Sequence, residues 1–281
     1  MKRIIVCDSG LGGLNIAAHF FEHNTAEKEP CELIYFNAYP EADCGFNKLP
    51  SDQAQEELFR NVFEGMKAFS PDLCLIACNT LSIVYERLKK WYTPAFPVAG
   101  IVDTAVESMF QALKKDPESS ILILGTKSTV ESGVYAERLI SKGIEKSRIK
   151  GLACPGLATL IESDPQSVDV ERNIAEYARQ AAELFENNNL RLYCALCCTH
   201  FGFASEIWKK QFSAFFPNFS GLVDPNDFPG FDFSAETLQY HSRIDFFPGA
   251  RENMCRWFSK NSPQIADALK NAEHNPELFN L

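Results

Sequence analysis

The 281-residue chain reads as an α/β protein made of two similar three-layer α/β domains with mostly parallel sheets, related by pseudo-symmetry. Three observations carry that reading. Short apolar runs alternate with longer amphipathic stretches, the β-then-α rhythm of a parallel sheet covered by helices. The rhythm starts again near the middle of the chain. Two unrelated motifs also recur at almost one offset: the polar turns at Asp8 and Thr126 are 118 residues apart, and Cys78-Asn79-Thr80 and Cys198-Thr199-His200 are 120 apart.

Taken in order, Ile4-Ile5-Val6-Cys7 is a buried strand, and Gly10 to Gly13 form a turn into a helix from Leu14 to about Glu22. Leu33-Ile34-Tyr35-Phe36 is a second strand. Ser51 caps a helix running through Phe69, with Leu58, Val62, Phe63, Met66 and Phe69 on one face. Leu73-Cys74-Leu75-Ile76-Ala77 is a third strand, followed by helix from about Leu81. In the second half, Ile121 to Thr126 mirrors the first strand and its turn, with a helix after Ser132. Leu190 to Leu196 mirrors the third strand. The first seam falls near Pro94 to Pro97, and the second lies before the Asn-, Asp-, Pro- and Gly-rich stretch after Pro217.

Composition excludes several classes. Apolar residues at 46% and charged residues at 23% describe a chain that buries a core rather than a disordered one. The net charge of −10, with no Lys/Arg cluster to offset it, argues against a nucleic-acid binder. The 23 Phe against 3 Trp suit core filling better than a stacking platform. The opening apolar run is too short for a secretory signal, and no stretch approaches the roughly 18 apolar residues that span a bilayer. Ten cysteines without an export signal imply reduced thiols and a cytoplasmic protein with no membrane partner.

In open α/β sheets ligands bind beyond the carboxyl ends of strands. Four polar turns sit there: Asp8-Ser9-Gly10, Cys78-Asn79-Thr80, Thr126 with Thr129, and Cys198-Thr199-His200. Cysteines at equivalent positions of two halves are expected to face each other across the cleft between the domains. One thiolate and one thiol so opposed remove a proton from one face of a carbon and return one to the other, the minimum for racemisation without a cofactor. Free cysteine is by default a buried, inert residue, and Cys7, Cys31, Cys74, Cys154, Cys194 and Cys255 are assigned that role. Cys78 and Cys198 differ in ending an apolar strand and preceding hydroxyl or amide residues.

Other readings of these residues fit less well. Cys194-Ala195-Leu196-Cys197 is formally C-x-x-C, but it lies within a strand rather than at a helix start. Cys74 and Cys78 are about 13 Å apart along a strand, too far to share a zinc ion, and no metal site is read. Gly10-Leu11-Gly12-Gly13-Leu14-Asn15 lacks the last glycine of the dinucleotide fingerprint, and no phosphate-binding P-loop sequence occurs. Among the five histidines only His200 lies in a motif, where a catalytic and a structural role are both open.

Asp8-Ser9-Gly10 with Gly12-Gly13, Cys78-Asn79-Thr80, Gly125-Thr126 with Thr129-Val130, and Cys198-Thr199-His200-Phe201 together resemble the aspartate/glutamate racemase superfamily, the glutamate racemases above all. The resemblance runs from about residue 3 to 202. It implies two α/β domains, an acidic amino-acid substrate and no cofactor. It also implies a C-terminal stretch that packs back on the first domain, giving domains 1–97 plus 213–281 and 98–212. By resemblance, Cys78 and Cys198 are the acid/base thiols, assisted by Asp8 and His200 respectively. Glu162, following Cys154-Pro155, matches a catalytic-site glutamate. Ser9, Asn79, Thr80 and Thr199 bind the substrate's amino and carboxylate groups, and Thr126 joins them as a binding candidate. The product would be D-glutamate for bacterial cell-wall precursors, and the enzyme admits a homodimer.

The chain departs from the family pattern in three places. An Asp-Thr-Ala-Arg run and a following Pro-Tyr-Gly are replaced by Asn37-Ala38-Tyr39-Pro40-Glu41-Ala42 and Asp43-Cys44-Gly45, leaving Gly45 at the substrate-contacting end. An inward Asp43 would repel a distal carboxylate by about 4 kcal/mol at ~4 Å and an effective dielectric near ~20, so Asp43 is expected to point away. Backbone N–H groups of Cys44 and Gly45 then remain to bind that carboxylate. Cys197 replaces a glycine and crowds the second catalytic cysteine, and Phe228 to Phe247 has no counterpart in the family. Two alternatives stay open: a racemase for another amino acid such as aspartate, and a non-catalytic binding protein on the same scaffold.

Overall fold

The structure, a computed structural model, describes residues 1–21, 28–42, 44–185, 187, 189–226 and 232–281. The chain opens with β1 (Lys2–Asp8), α1 (Leu14–Ala18), β2 (Glu29–Asn37), α2 (Asp52–Met66), β3 (Leu73–Ile76), α3 (Asn79–Leu88) and β4 (Val98–Gly100). It continues through α4 (Val102–Lys115), β5 (Ser119–Gly125), α5 (Lys127–Glu131), α6 (Val134–Ser141), β6 (Ile149–Ala153), α7 (Leu157–Ser163) and α8 (Val168–Phe185). β7 (Arg191–Cys197), α9 (Ser205–Phe215), β8 (Phe219–Val223), β9 (Phe233–Ser242), α10 (Ala250–Phe258) and α11 (Pro263–Lys270) complete it.

These elements form two α/β units, Met1–Ile101 with Asn226–Leu281, and Val102–Pro225. Residues 213–225 go with the second unit, not with the C-terminal stretch, because β8 is hydrogen-bonded to β7. The first unit holds a five-stranded sheet in the order β4-β3-β1-β2-β9, the second a four-stranded sheet in the order β6-β5-β7-β8. Every pairing in both sheets is parallel. Apart from β9, the two orders are the same relative to sequence: second, first, third, fourth. The recurring motifs therefore occupy equivalent strand ends.

Sheets of this kind are buried on both faces. In the first unit Ile5, Cys7, Ile34, Phe36, Cys74 and Ile76 pack with Phe59, Val62, Phe63 and Met66 of α2 and Leu81, Val84 and Leu88 of α3. The alternate residues Ile4, Val6, Leu33 and Tyr35 are just as buried on the other face. In β5, Ile121 to Leu124 are likewise buried throughout.

Several local details differ from expectation. α1 stops at Ala18, because the next amides, His19 to Phe21, bond to carbonyls three residues back, which tightens the coil; Glu22 lies outside the described residues. Ser51 does cap α2, its Oγ accepting the Ala54 N–H at 3.1 Å. Yet α2 ends at Met66, and Lys67–Phe69 is a 3₁₀ turn closed by Ser70 in the left-handed region at φ 47°. α3 begins at Asn79, earlier than Leu81, with Cys78 as its cap. The expected helix after Ser132 is α6, entered through Gly133 at φ +69°, and a short helix not expected there, α5, precedes it. Within Phe228 to Phe247, residues 228–231 lie outside the described residues, and Phe233–Ser242 forms β9 at the sheet edge against β2.

The C-terminus packs on the first unit, with Leu278 and Phe279 inside its core cluster. A Cβ on Gly65 of α2 would lie 2.4 Å from the Leu278 carbonyl oxygen and 2.9 Å from Phe279 Cβ. Helix propensity favours Ala over Gly by about 1 kcal/mol, but overpacking against backbone costs about 1–3 kcal/mol. Gly65→Ala should therefore lower the melting temperature; a raised Tm would mean that the 278–279 contact is not maintained in solution.

Candidate active site

The parallel pairing of β1 with β3 sets the candidate group of the first unit. Cys7 is opposite Ile76, and the Ala77 N–H donates to the Cys7 carbonyl at 2.9 Å. The turn after β1 thus lies beside the start of α3, where Cys78 is buried. Cys78 Sγ accepts the Leu81 N–H at 3.5 Å as the helix cap and shares a hydrogen bond with Ser9 Oγ at 3.2 Å. Asp8, also buried, completes the group. Burial first, then the charge of Asp8, pushes the Cys78 thiol up to about 12, against the opposing pull of the Ser9 and Leu81 hydrogen bonds. Cys78 is therefore a thiol at neutral pH in the unliganded site. Gly13 is needed here: a Cβ on it would meet Asp8 Cβ, Asp8 Oδ2 and Ala77 Cβ, each at 2.9 Å.

The second unit carries its own candidate group, built on the equivalent pairing of β5 with β7. Gly125 of β5 is opposite Cys197 of β7, which sets Thr126 beside Cys198. Cys198 Sγ lies 4.0 Å from His200 Nδ1, and His200 Nε2 lies 2.6 Å from Glu162 Oε2. All three side chains are buried, with Glu162 supplied by α7. Burial pushes His200 down, but the hydrogen bonds and charges of Cys198 and Glu162 outweigh it and raise it well above the usual histidine value. His200 thus stands between the Glu162 carboxyl and the Cys198 sulfur and holds its proton more tightly than a free imidazole.

The remaining predicted residues separate into groups. Asn79, Thr80 and Thr199 are buried at the two strand ends, beside the cysteines. Thr126 caps α5: its Oγ1 accepts the Thr129 N–H at 3.2 Å and donates to Thr129 Oγ1 at 3.0 Å. The Cys44 N–H, expected to be available to a carboxylate, donates to the Glu41 carbonyl at 3.0 Å. Gly45 packs so closely on Tyr39 that a Cβ would lie 2.9 Å from the phenol oxygen. Asp43 is outside the described residues. Cys197 is fully buried, its thiol pushed up by burial and then by Asp224 and Cys198. Cys7, Cys74, Cys154 and Cys194 are likewise raised by burial first. In the C-x-x-C run both cysteines lie in β7, three positions apart and so on opposite faces.

A profile of the Asp/Glu/Hydantoin racemase family matches residues 30–202. This chain belongs to that family. It is an enzyme of the isomerase class, an amino-acid racemase. It is similar to the glutamate racemase of Campylobacter jejuni, with 28% identity over 75% of this chain and 77% of the relative. A Staphylococcus aureus glutamate racemase is 31% identical over 58% of this chain and 59% of its own length. The solved glutamate racemase of Francisella tularensis, in complex with D-glutamate, shares the fold at a TM-score of 0.68, with 19% identity, over 92% of this chain and 94% of that one. Among the described residues no helix is long and apolar enough to cross a membrane.

Two contributors escaped the motif reading. Tyr35 reaches from β2 to donate its hydroxyl to the Gly10 carbonyl at 2.7 Å. Asn37, the family's lost aspartate position, turns inward: its Oδ1 accepts the Tyr39 N–H at 3.0 Å and its Nδ2 donates to Tyr240 Oη at 3.1 Å. Both depend on contacts with β9, whose pairing no local motif announces.

The raised His200 gives a pH signature. Its folded-state value exceeds that of the unfolded chain, so its stabilising contribution is complete below about pH 6.5 and is lost as pH rises through the folded value. The stability advantage of wild type over His200→Gln should therefore shrink as pH rises from 6 to 9, measured by thermal melts. Parallel curves would mean that His200 is not protonated in the native state.

Proposed function

We propose that this racemase interconverts L- and D-glutamate without a cofactor, with Cys78 and Cys198 as the two acid/base groups. The observation that carries the reading is that each unit ends its central strand pair in one cysteine with its own proton-handling partners. These are Asp8 and Ser9 for Cys78, and His200 with Glu162 for Cys198. Racemisation by two bases asks for one thiol at each face of the substrate's Cα. In one direction a thiolate takes the Cα proton and the other thiol delivers a proton to the opposite face; the reverse reaction exchanges the roles. Buried Asn79, Thr80 and Thr199, with the half-buried Ser9, supply neutral hydroxyl and amide groups for the α-amino and α-carboxylate groups, leaving the thiolate uncompensated and reactive.

The raised value of Cys78 suits this cycle. A bound amino acid brings an ammonium group, which offsets the Asp8 charge and makes proton loss easier when substrate is present. The thiolate so formed sits at the N-terminus of α3, where the Leu81 N–H and the helix dipole favour it. Glutamate is favoured by the relatives' names and by the family; the cell-wall role of D-glutamate and a cytoplasmic setting follow from the same reading. The altered 37–45 segment is where a different side-chain preference would arise.

Cys78→Ala and Cys198→Ala should each lower glutamate racemisation by about 10²-fold or more, the usual scale for losing a positioned acid or base. Serine at either position should be nearly as harmful, being a much weaker acid than a thiol. In heavy water, solvent deuterium should appear at Cα during turnover. Full turnover by either alanine variant would overturn the two-thiol mechanism, and a higher kcat/KM for glutamine than for glutamate would overturn the substrate assignment.

A further inference from the structure

The carbonyls of Leu11, Gly12 and Gly13 accept N–H groups from the first turn of α1. The Gly10 carbonyl, in the same turn, instead takes a side-chain hydroxyl, that of Tyr35, at 2.7 Å. Tyr35 is fully buried. Its ring is stacked on Tyr240 of β9 at 5.7 Å and 9° between planes, Tyr240 in turn on Phe246 at 5.2 Å, and the Arg251 guanidinium lies 4.5 Å from the Phe246 ring. Register explains the alignment, since Tyr35 is directly opposite Tyr240 in the β2–β9 pair. The Asn37 Nδ2 bond to Tyr240 Oη locks this stack to the end of β2. A column of rings from the C-terminal segment thus holds one hydroxyl against one peptide of the site turn. The neighbouring residue, Ser9, carries the Oγ that lies 3.2 Å from Cys78 Sγ.

We propose that Tyr35 is a positioning residue for Cys78: by holding the Gly10 carbonyl it holds Ser9 Oγ on the thiol. Residues 233–251 thereby gain a part in the chemistry that their distance in sequence from both cysteine motifs conceals. The inference rests on the reading of Cys78 as an acid/base thiol, yet its physical content, a hydrogen bond tuned from β2, can be measured without substrate.

Tyr35→Phe keeps the ring and removes only the hydroxyl. Without its anchor the 10–11 peptide turns towards another donor and Ser9 Oγ leaves Sγ, so the thiolate fraction of Cys78 falls. The probe is iodoacetamide, with the alkylation rate of each cysteine followed by peptide mass spectrometry at a fixed pH of about 8.5. A net hydrogen bond is worth about 0.5–1.5 kcal/mol, which corresponds to about 2- to 12-fold in thiolate population. Cys78 should therefore be alkylated about 2- to 12-fold more slowly in Tyr35→Phe, and Cys198 at its wild-type rate. Ser9→Ala should slow Cys78 comparably. The double variant should be no slower than Ser9→Ala alone, because both act on one bond.

Additive effects in the double variant, equal slowing at Cys198, or an unchanged Cys78 rate would each overturn the proposal. Should Tyr35→Phe fail to fold, Tyr240→Leu, which removes the ring that fixes Tyr35, gives the same comparison: slowing at Cys78 but not at Cys198 supports it, and anything else overturns it. An absence of racemase activity beside a Cys78-specific slowing would sink only the functional reading. Normal racemisation beside an unchanged Cys78 rate would sink only this inference.

Discussion

In each unit the connection from the first strand runs to one side and the later connection crosses to the other, so the first and third strands become neighbours although they are far apart in sequence. That is the switch point of a doubly wound sheet, where diverging connections leave the strand ends open. The candidate groups around both cysteines depend on it. Pairing of β1 with β3 brings the Asp8 turn to Cys78, and pairing of β5 with β7 brings the Thr126 turn to Cys198. Parallel strands also put helix N-termini at those ends, so Cys78 meets the Leu81 N–H at the start of α3. Glycine is required where the turns approach most closely, at Gly13 against Asp8 and at Gly125, where a Cβ would lie 3.0 Å from the Cys197 carbonyl oxygen.

Equivalent backbone positions do not make equivalent thiols. Cys78 is held by a hydroxyl and an amide next to a buried carboxylate, a combination in which burial and like charge outweigh the hydrogen bonds. Cys198 instead has an imidazole 4.0 Å away, itself raised by a carboxylate 2.6 Å from its other nitrogen. The two groups therefore differ in charge as well as in partners, with a buried carboxylate beside Cys78 and a raised imidazole beside Cys198.

The legible parts of this architecture were those whose signal is local. Ile4 to Cys7 and Ile121 to Leu124 are continuous apolar runs because their strands are buried on both faces, and the polar residues after them can only be turns. The cysteine motifs were legible because a reactive residue at a strand end interrupts such a run. The illegible parts depend on tertiary contacts. β4 has three residues, and β8 contains Gly221 at φ +129°, so neither presents a run long enough to read. β9 lies at the sheet edge with Glu236, Thr237 and Gln239 exposed, which breaks its apolar pattern. The helical reading of α1 overshot because apolar spacing does not distinguish an α-turn from the tighter coil that carries the Phe20 carbonyl to the Ala235 N–H.

The C-terminal segment shows how a departure from the family pattern is absorbed. Where the resemblance led to an aspartate after β2, Asn37 has an amide that both accepts from Tyr39 and donates to Tyr240. A carboxylate in the same place could accept both bonds but donate neither, and it would be a second buried charge near Asp8. Exchanging it for an amide removes that charge and ties the loop after β2 to β9 instead. Arg243 strengthens the tie, donating to the Pro40 carbonyl and to the Phe279 carbonyl while its guanidinium lies over the Phe279 ring. The segment that looked least like the family is thus joined to the Asp8–Gly13 turn through Tyr35. The region outside the resemblance and the region at its centre are one mechanical unit.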